Sequence, residues 1–234
     1  MNIAIIPARG GSKRIPKKNI KNFCGRPMIS YSIKAAQDSK FFDRIIVSTD
    51  SNEIASVAKE HGADIPFLRP KDISDDFATT GDVMRHATSF LKKEHESLDS
   101  ICCIYATAPL IQKDDLVKGL EIFNTKKWSY VFSAAAFPFP IQRAIKKVSG
   151  GGVEMFQPNH FNTRSQDLEE GYHDAGQFYF GSFKAWQNKE IFFQRNSEIV
   201  VLPRWRVQDI DTESDWENAE KLFQLINGVN DNLL

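Results

Sequence analysis

The chain has 234 residues, a length that suits one α/β domain over residues 1–234 with room for a sizeable core. Lysine plus arginine total 30 and aspartate plus glutamate total 30, so no global field favours nucleic acid or an anionic membrane surface, and any anion site must be local. The longest apolar runs, such as Ile3 to Ile6 and Phe132 to Phe139, are too short to span a bilayer. The N-terminus lacks a secretory pattern, so a cytoplasmic protein with no membrane partner is expected.

Ile3 to Ile6 reads as a short buried strand, followed by a Gly/Pro/Lys loop over Pro7 to Lys18 and an amphipathic helix from about Met28 to Asp38. Arg44 to Ser48 is a second strand. Asp50 with Glu53 resembles a capping box for a helix that stops at Gly62, and Ile65 to Leu68 then reads as a strand. After a polar loop, Val83, Met84, Ala87, Phe90 and Leu91 recur at helical spacing, and Ile101 to Tyr105 is a buried strand. Leu116 to Phe123 is helical and Tyr130 to Ala134 is a strand. This repeated order predicts an α/β fold with a mainly parallel sheet, helices on both faces, and ligands at the carboxyl ends of the strands.

From about Phe137 to Asp174 the regularity fails: Pro138, Pro140, the Gly150-Gly151-Gly152 triplet and Pro158 interrupt every period. A small β-rich arm inserted at about 137–174 is expected, although the triplet alone equally fits a plain hairpin turn. The sheet resumes at about Gln177 to Phe180. An amphipathic helix from about Glu213 to Ile226 and a short polar tail close the chain. The three cysteines, Cys24, Cys102 and Cys103, lack CxxC or Cys/His spacing and read as buried free thiols.

The strongest local signal is Pro7-Ala8-Arg9-Gly10-Gly11-Ser12-Lys13-Arg14-Ile15-Pro16-Lys17-Lys18-Asn19, directly after the first strand. Its glycines let backbone approach a ligand, and its five cations suit a triphosphate; a solvated basic loop is the bland alternative. It matches neither the Walker A pattern nor GxGxxG. Farther on, Gln208-Asp209-Ile210-Asp211-Thr212 offers carboxylates at i and i+2, close enough in an extended segment to share a hard divalent cation. Helix capping near Glu213 explains one aspartate but not both.

The basic segment resembles the N-terminal signature of the CMP-sugar synthetases, the cytidylyltransferases for sialic, legionaminic and pseudaminic acids. Gly25-Arg26-Pro27-Met28-Ile29, Val47-Ser48-Thr49-Asp50 and Arg69-Pro70 fit the same pattern, and the resemblance covers nearly the whole chain. It implies a Rossmann-like nucleotidyltransferase fold and CTP as substrate. The nucleotide would be bound by Ala8, Arg9, Gly10, Gly11, Ser12, Lys13 and Asn19, with Arg69, Thr79 and Thr80 reading cytosine and ribose. Asp75 and Asp76 read instead as solvated or capping residues. Asp209 and Asp211 inherit the role of Mg2+ ligands and, with Arg9 and Lys13, the catalytic role of charge neutralisation.

Ile104-Tyr105-Ala106-Thr107-Ala108-Pro109-Leu110 departs from the family's sialic acid pattern, because Tyr105 replaces the glutamine that contacts that sugar. Together with Asp174-Ala175-Gly176-Gln177, this resembles the pseudaminic acid branch, and it implies sugar contacts from Tyr105, Thr107, Asp174 and Gln177. Arg164 and Gln166 follow the family's Arg-x-Gln-Asp-Leu pattern beside the sugar, where an arginine could grip a carboxylate. The expected reaction is cytidylyl transfer from CTP to the anomeric hydroxyl of an acidic nine-carbon sugar, pseudaminic acid first, with legionaminic or N-acetylneuraminic acid as alternatives. A catalytically silent nucleotide-binding protein is the rival reading. The family's use of such an arm to reach a neighbour's site implies a homodimer.

Overall fold

The computed structural model describes residues 1–95 and 97–231. Its elements in chain order are β1 (Asn2–Pro7), β2 (Asn22–Phe23), β3 (Arg26–Pro27), α1 (Met28–Ser39), β4 (Arg44–Ser48), α2 (Asn52–Glu60), α3 (Thr80–Glu94), β5 (Ser100–Ile104), α4 (Lys113–Thr125) and β6 (Tyr130–Ala136). There follow β7 (Ile145–Lys147), β8 (Val153–Met155), β9 (Tyr172–Gly181), α5 (Phe183–Asn188), β10 (Ser197–Val201) and α6 (Glu213–Asp231). Six strands form one sheet in the order β10-β6-β9-β5-β1-β4. Only β9 runs against its neighbours, so the sheet is mainly parallel.

Alternation along the strands splits the core between the two faces. Ala4, Ile6, Val47, Cys102 and Ile104 pack under α1, α2 and α4, whereas Ile3, Ile5, Ile46, Ile101 and Cys103 pack under α3 and α5. Gly119 explains how closely α4 lies on the sheet: a Cβ there would come within 2.7 Å of the Phe180 ring and 2.9 Å of the Phe178 ring. A third cluster joins distant parts of the chain. Ile15 from the basic loop, Phe23, Met28, Ile210, Trp216 and Ala219 are buried together, with the Phe23 and Trp216 rings 5.4 Å apart edge to face. This contact folds the last quarter of the chain back onto the loop that follows β1.

Several local expectations change. Ile65 to Leu68 is not a strand. Asp64 makes one parallel bridge to Ile46, and the ladder then stops because Pro66 has no N–H to continue it. The N-cap of α2 is Ser51, which accepts from the Ile54 amide; Asp50 is engaged elsewhere, and no Asp50–Glu53 capping box forms. The arm expected at 137–174 is shorter: residues 137–171 leave the sheet, but β9 pairs with β6 from Tyr172, five residues before the expected resumption at Gln177, and the β7–β8 hairpin in the arm turns through three glycines, each with positive φ. α6 runs five residues beyond the expected stop at Ile226, and of the polar tail residues 232–234 lie outside the described residues. The three thiols are free; Cys102 and Cys103 are buried and Cys24 is half-buried.

Candidate active site

Two adjoining cavities open at the carboxyl edge of β1 and β5. The first, about 570 Å³, is lined by Arg9, Ser12, Lys13, Arg14, Lys18 and Asn19 of the loop, together with Arg69, Asp76, Thr80, Tyr105 and Thr107. The second, about 500 Å³, shares Tyr105 and Thr107 and adds His173, Asp174, Tyr179, Gln208 and Asp209. Because β9 is antiparallel, its first residues reach this same edge. A wide irregularity opposite Ser133 and the left-handed Gly176 turn Asp174 toward the second cavity.

The loop cations are not loose. Arg9 Nη1 donates to the Asp75 carbonyl and pairs with the Asp76 carboxylate, each at 2.7 Å, and Lys13 Nζ donates to the other Asp76 oxygen at 2.5 Å. The lysine holds the Asp76 carboxyl below the usual carboxylate range. Asp76 is therefore an ion-pair partner rather than a solvated residue, while Asp75 caps the turn by accepting from the Phe77 and Ala78 amides. The Asn19 side-chain amide donates to the Arg9 carbonyl at 2.9 Å, and Ser12 Oγ donates to the Ile15 carbonyl at 2.6 Å, which stiffens the loop from within.

Three backbone expectations in the loop change. The Ala8 amide donates to the Ser48 carbonyl at 2.9 Å and so continues the β1–β4 ladder instead of facing a ligand. The Gly10 amide donates to Asp50 Oδ1 at 2.8 Å. Neither Gly10 nor Gly11 adopts left-handed backbone, and around Gly11 a Cβ would meet nothing within 4 Å. Gly11 thus leaves the loop's outer side open.

Arg69 is buried at 6% exposure, donates to Ser48 Oγ at 3.2 Å and also to the Ser48 carbonyl. Burial pulls its pKa down to about 10, so it stays a cation at neutral pH on the cavity wall. Thr80 lines the cavity, and its Oγ1 lies 3.0 Å from the Tyr105 hydroxyl. Thr79 does not line it. Its side chain forms the capping box of α3 with Asp82, whose carboxyl is held at about 2, chiefly by the Thr79 hydrogen bond. Burial raises the Tyr105 phenol to about 12 and pushes Tyr179 higher still; Tyr179 donates to Asp174 Oδ2 at 2.5 Å.

The two late aspartates meet the loop. Asp211 pairs with Arg14 at 2.7 Å and lies 3.5 Å from Lys18, whose ammonium also donates to the Ile210 carbonyl at 2.5 Å. Asp209 lines the second cavity, and its carboxylate has no hydrogen-bond or ion-pair partner among the described residues. Asp211 lines neither cavity and meets the first through Arg14 and Lys18 of its wall, whereas Asp209 lines the second directly. Among the described residues no group of three His, Cys, Asp or Glu could hold a metal ion. Two carboxylates beside a cationic pocket instead fit Mg2+ shared with substrate phosphates and water, the usual donor set for that ion.

Three expected sugar contacts change. Gln177 is buried and lines neither cavity; its Nε2 donates to the Arg206 carbonyl at 2.7 Å. Arg164 and Gln166 sit on the exposed arm and line neither cavity, and Arg164 is paired with Asp167 at 2.7 Å. Sequence reasoning missed Arg14, Lys18, Asp50 and Tyr179 as site residues. Arg14 and Lys18 lay within the basic run and were recognisable there, whereas Asp50 and Tyr179 depend on strands brought together only by folding.

A cytidylyltransferase family model matches residues 3–225. The chain belongs to the cytidylyltransferase family. This cytidylyltransferase is 47% identical over 224 residues to the pseudaminic acid cytidylyltransferase of Campylobacter jejuni, covering 96% of this chain and 97% of that one. It is 31% identical to the CMP-N,N'-diacetyllegionaminic acid synthase of Legionella pneumophila, covering 95% and 96%. Among solved structures, CMP:2-keto-3-deoxy-manno-octonic acid synthetase complexed with CTP superimposes with a TM-score of 0.69 at 16% identity, over 96% of this chain and 99% of that one, which is a likeness of fold. The cytidylyltransferase thus has the mainly parallel α/β sheet that the alternating elements predicted and the nucleotidyltransferase fold that the resemblance implied.

Proposed function

We propose that this cytidylyltransferase joins CTP to pseudaminic acid, forming the CMP-sugar and pyrophosphate. The observation that carries the reading is the meeting of Asp211 with Arg14 and Lys18: one carboxylate of the pair binds two cations of the first pocket, and the other, Asp209, lines the second pocket that adjoins it. The close likeness to the Campylobacter jejuni enzyme supports the choice of sugar.

In this reading the triphosphate lies in the first cavity, where Arg9, Lys13, Arg14 and Lys18 neutralise it and hold the α-phosphorus toward the second. Thr80 and Arg69 line the nucleoside end. The anomeric hydroxyl of the sugar attacks the α-phosphorus and gives up its proton to solvent, the bond from that phosphorus to the oxygen bridging to the β-phosphate breaks, and pyrophosphate departs with that oxygen against Arg9 and Lys13. Tyr105 and Thr107, common to both cavities, align the two substrates. Mg2+, held by Asp209 and Asp211, would supply further neutralisation of the phosphates. Replacing Asp211 by alanine is expected to abolish pyrophosphate release while nucleotide still binds in EDTA. Full release by that variant would refute the assignment, and no release by the parent protein with any nonulosonic acid would favour the silent binding protein.

A homodimer and a cytoplasmic location belong to the same proposal. The arm exposes Phe139, Ile145, Val153, Phe156 and Phe161, an apolar surface that a second copy would cover. Contact with a second copy would also place Arg164 beside a neighbour's sugar. Light scattering should give twice the chain mass, and conversion to a monomer by Phe139→Asp with Phe161→Asp would locate the interface; a monomeric parent contradicts it. Among the described residues no helix is long and apolar enough to cross a membrane. Cell fractionation tests the location, and recovery with membranes would overturn it.

A further inference from the structure

The stretch that carries Asp209 and Asp211 has no regular secondary structure between the short helical turn at Arg204–Arg206 and α6. Its position must come from side chains. Leu202 and Ile210 are buried at its two ends, and Val207 packs on the face covered by α4. Between Leu202 and Val207, Arg206 reaches Asp115 in the first turn of α4. Its Nη1 donates to Oδ2 at 2.5 Å and its Nη2 to Oδ1 at 3.0 Å, with both side chains only 12% exposed. From the other side, Gln177 on β9 donates to the Arg206 carbonyl at 2.7 Å.

A buried ion pair of this kind is weak evidence for stability, because desolvation offsets most of its Coulomb attraction. What a two-pronged guanidinium–carboxylate pair does supply is a fixed geometry. Here it ties the aspartate-bearing segment to two rigid elements at once. Helix α4 is seated on the sheet through the close approach at Gly119, and β9 is a central strand. Asp209 follows Arg206 by three residues and lines the second cavity.

We infer that Arg206, gripped by Asp115 and Gln177, is a positioning residue that sets where the Asp209 and Asp211 carboxylates stand for the metal–triphosphate. The inference rests on the assignment of those two aspartates as metal carboxylates. None of Arg206, Asp115 and Gln177 lines the nucleotide cavity, so the effect on catalysis is indirect. Outer partners that orient metal carboxylates are worth roughly 10–100-fold in metal affinity or activity when removed.

The test uses the whole chain with Asp115→Asn and Arg206→Lys, beside Leu116→Ala, which empties core volume on the same helix without touching the pair. CTP affinity is measured in Mg2+ and in EDTA, and the ratio reads the metal's share of binding without turnover. The Mg2+ concentration that half-saturates pyrophosphate release is measured in parallel. Asp115→Asn is expected to shrink the affinity ratio and raise the half-saturating Mg2+, each about tenfold, with CTP affinity in EDTA unchanged. Arg206→Lys keeps the charge, folds if Asp115→Asn does not, and should shift both quantities in the same direction. Leu116→Ala should lower the melting temperature and shift neither. Shifts below threefold in both pair variants, or an equal shift in Leu116→Ala, would overturn the inference. If Asp211→Ala also leaves the affinity ratio unchanged, the metal assignment itself fails, whereas a loss in Asp211→Ala alone removes only the role of Arg206.

Discussion

Ile210 sits between the two aspartates and is itself 2% exposed, packed with Ile15, Phe23, Met28, Trp216 and Ala219. Truncating it to alanine removes apolar contact from a filled cluster, and such changes cost about 2–5 kcal/mol. For a chain of this size that loss lowers the melting temperature by roughly 2–4 °C per kcal/mol. Stability is only part of the expected effect. The Ile210 carbonyl accepts from Lys18, and Ile210 is the anchor that brings Asp211 to Arg14. Loosening it by about 1 Å should lower kcat by roughly 100-fold, the scale on which misplaced catalytic groups fail. Val200→Ala provides the comparison, since Val200 is equally buried but lies in the edge strand β10. Both variants are to be assayed for pyrophosphate release at a temperature where circular dichroism shows each fully folded, with CTP binding followed in EDTA. Ile210→Ala should lose turnover and keep metal-free CTP binding, and Val200→Ala should keep both. Equal turnover in the two variants would refute the claim that this cluster seats the catalytic carboxylates.

Asp76 shares Arg9 and Lys13 with any incoming triphosphate, so Asp76→Asn should lower KM for CTP about threefold, the modest size expected of exposed ion pairs; a raised KM would show that the carboxylate helps binding. Tyr105 has its phenol raised to about 12 by burial, so its neutral form is favoured in the folded chain. Its contribution to stability is therefore complete below about pH 10, the ordinary tyrosine value, and is lost as pH rises through about 12. Ultraviolet titration of the parent minus Tyr105→Phe should leave a step near pH 12, and a step near 10 would contradict the burial.

The parts of the fold legible in the sequence were those set by local pattern. β1, α1 and α3 followed from an apolar run or helical spacing, and each formed within a few residues of its expected bounds. Ile65 to Leu68 does not form a strand because the missing N–H of Pro66 outweighs the apolar character of the run. The six residues of α5 and the edge strand β10 carry too little periodicity to stand out before the sheet exists. The site divides in the same way. The cations after β1 and the Asp209–Asp211 pair announced themselves by type and spacing. What each group touches did not: Gly10 is spoken for by Asp50 from the connection after β4, Thr79 by its own helix, and Gln177 by the Arg206 carbonyl. These partners are 40, 3 and 29 residues away in sequence, and only the shorter range had a local signature.

Product formation from CTP and a panel of acidic sugars tests the central claim most directly. With Mg2+ and equal concentrations of pseudaminic, legionaminic and N-acetylneuraminic acids, the purified protein should release pyrophosphate and form a CMP-sugar fastest with pseudaminic acid. The same preparation carrying Asp211→Ala should form none. Faster turnover of either other sugar would contradict the assigned substrate, and undiminished turnover by Asp211→Ala would contradict the site.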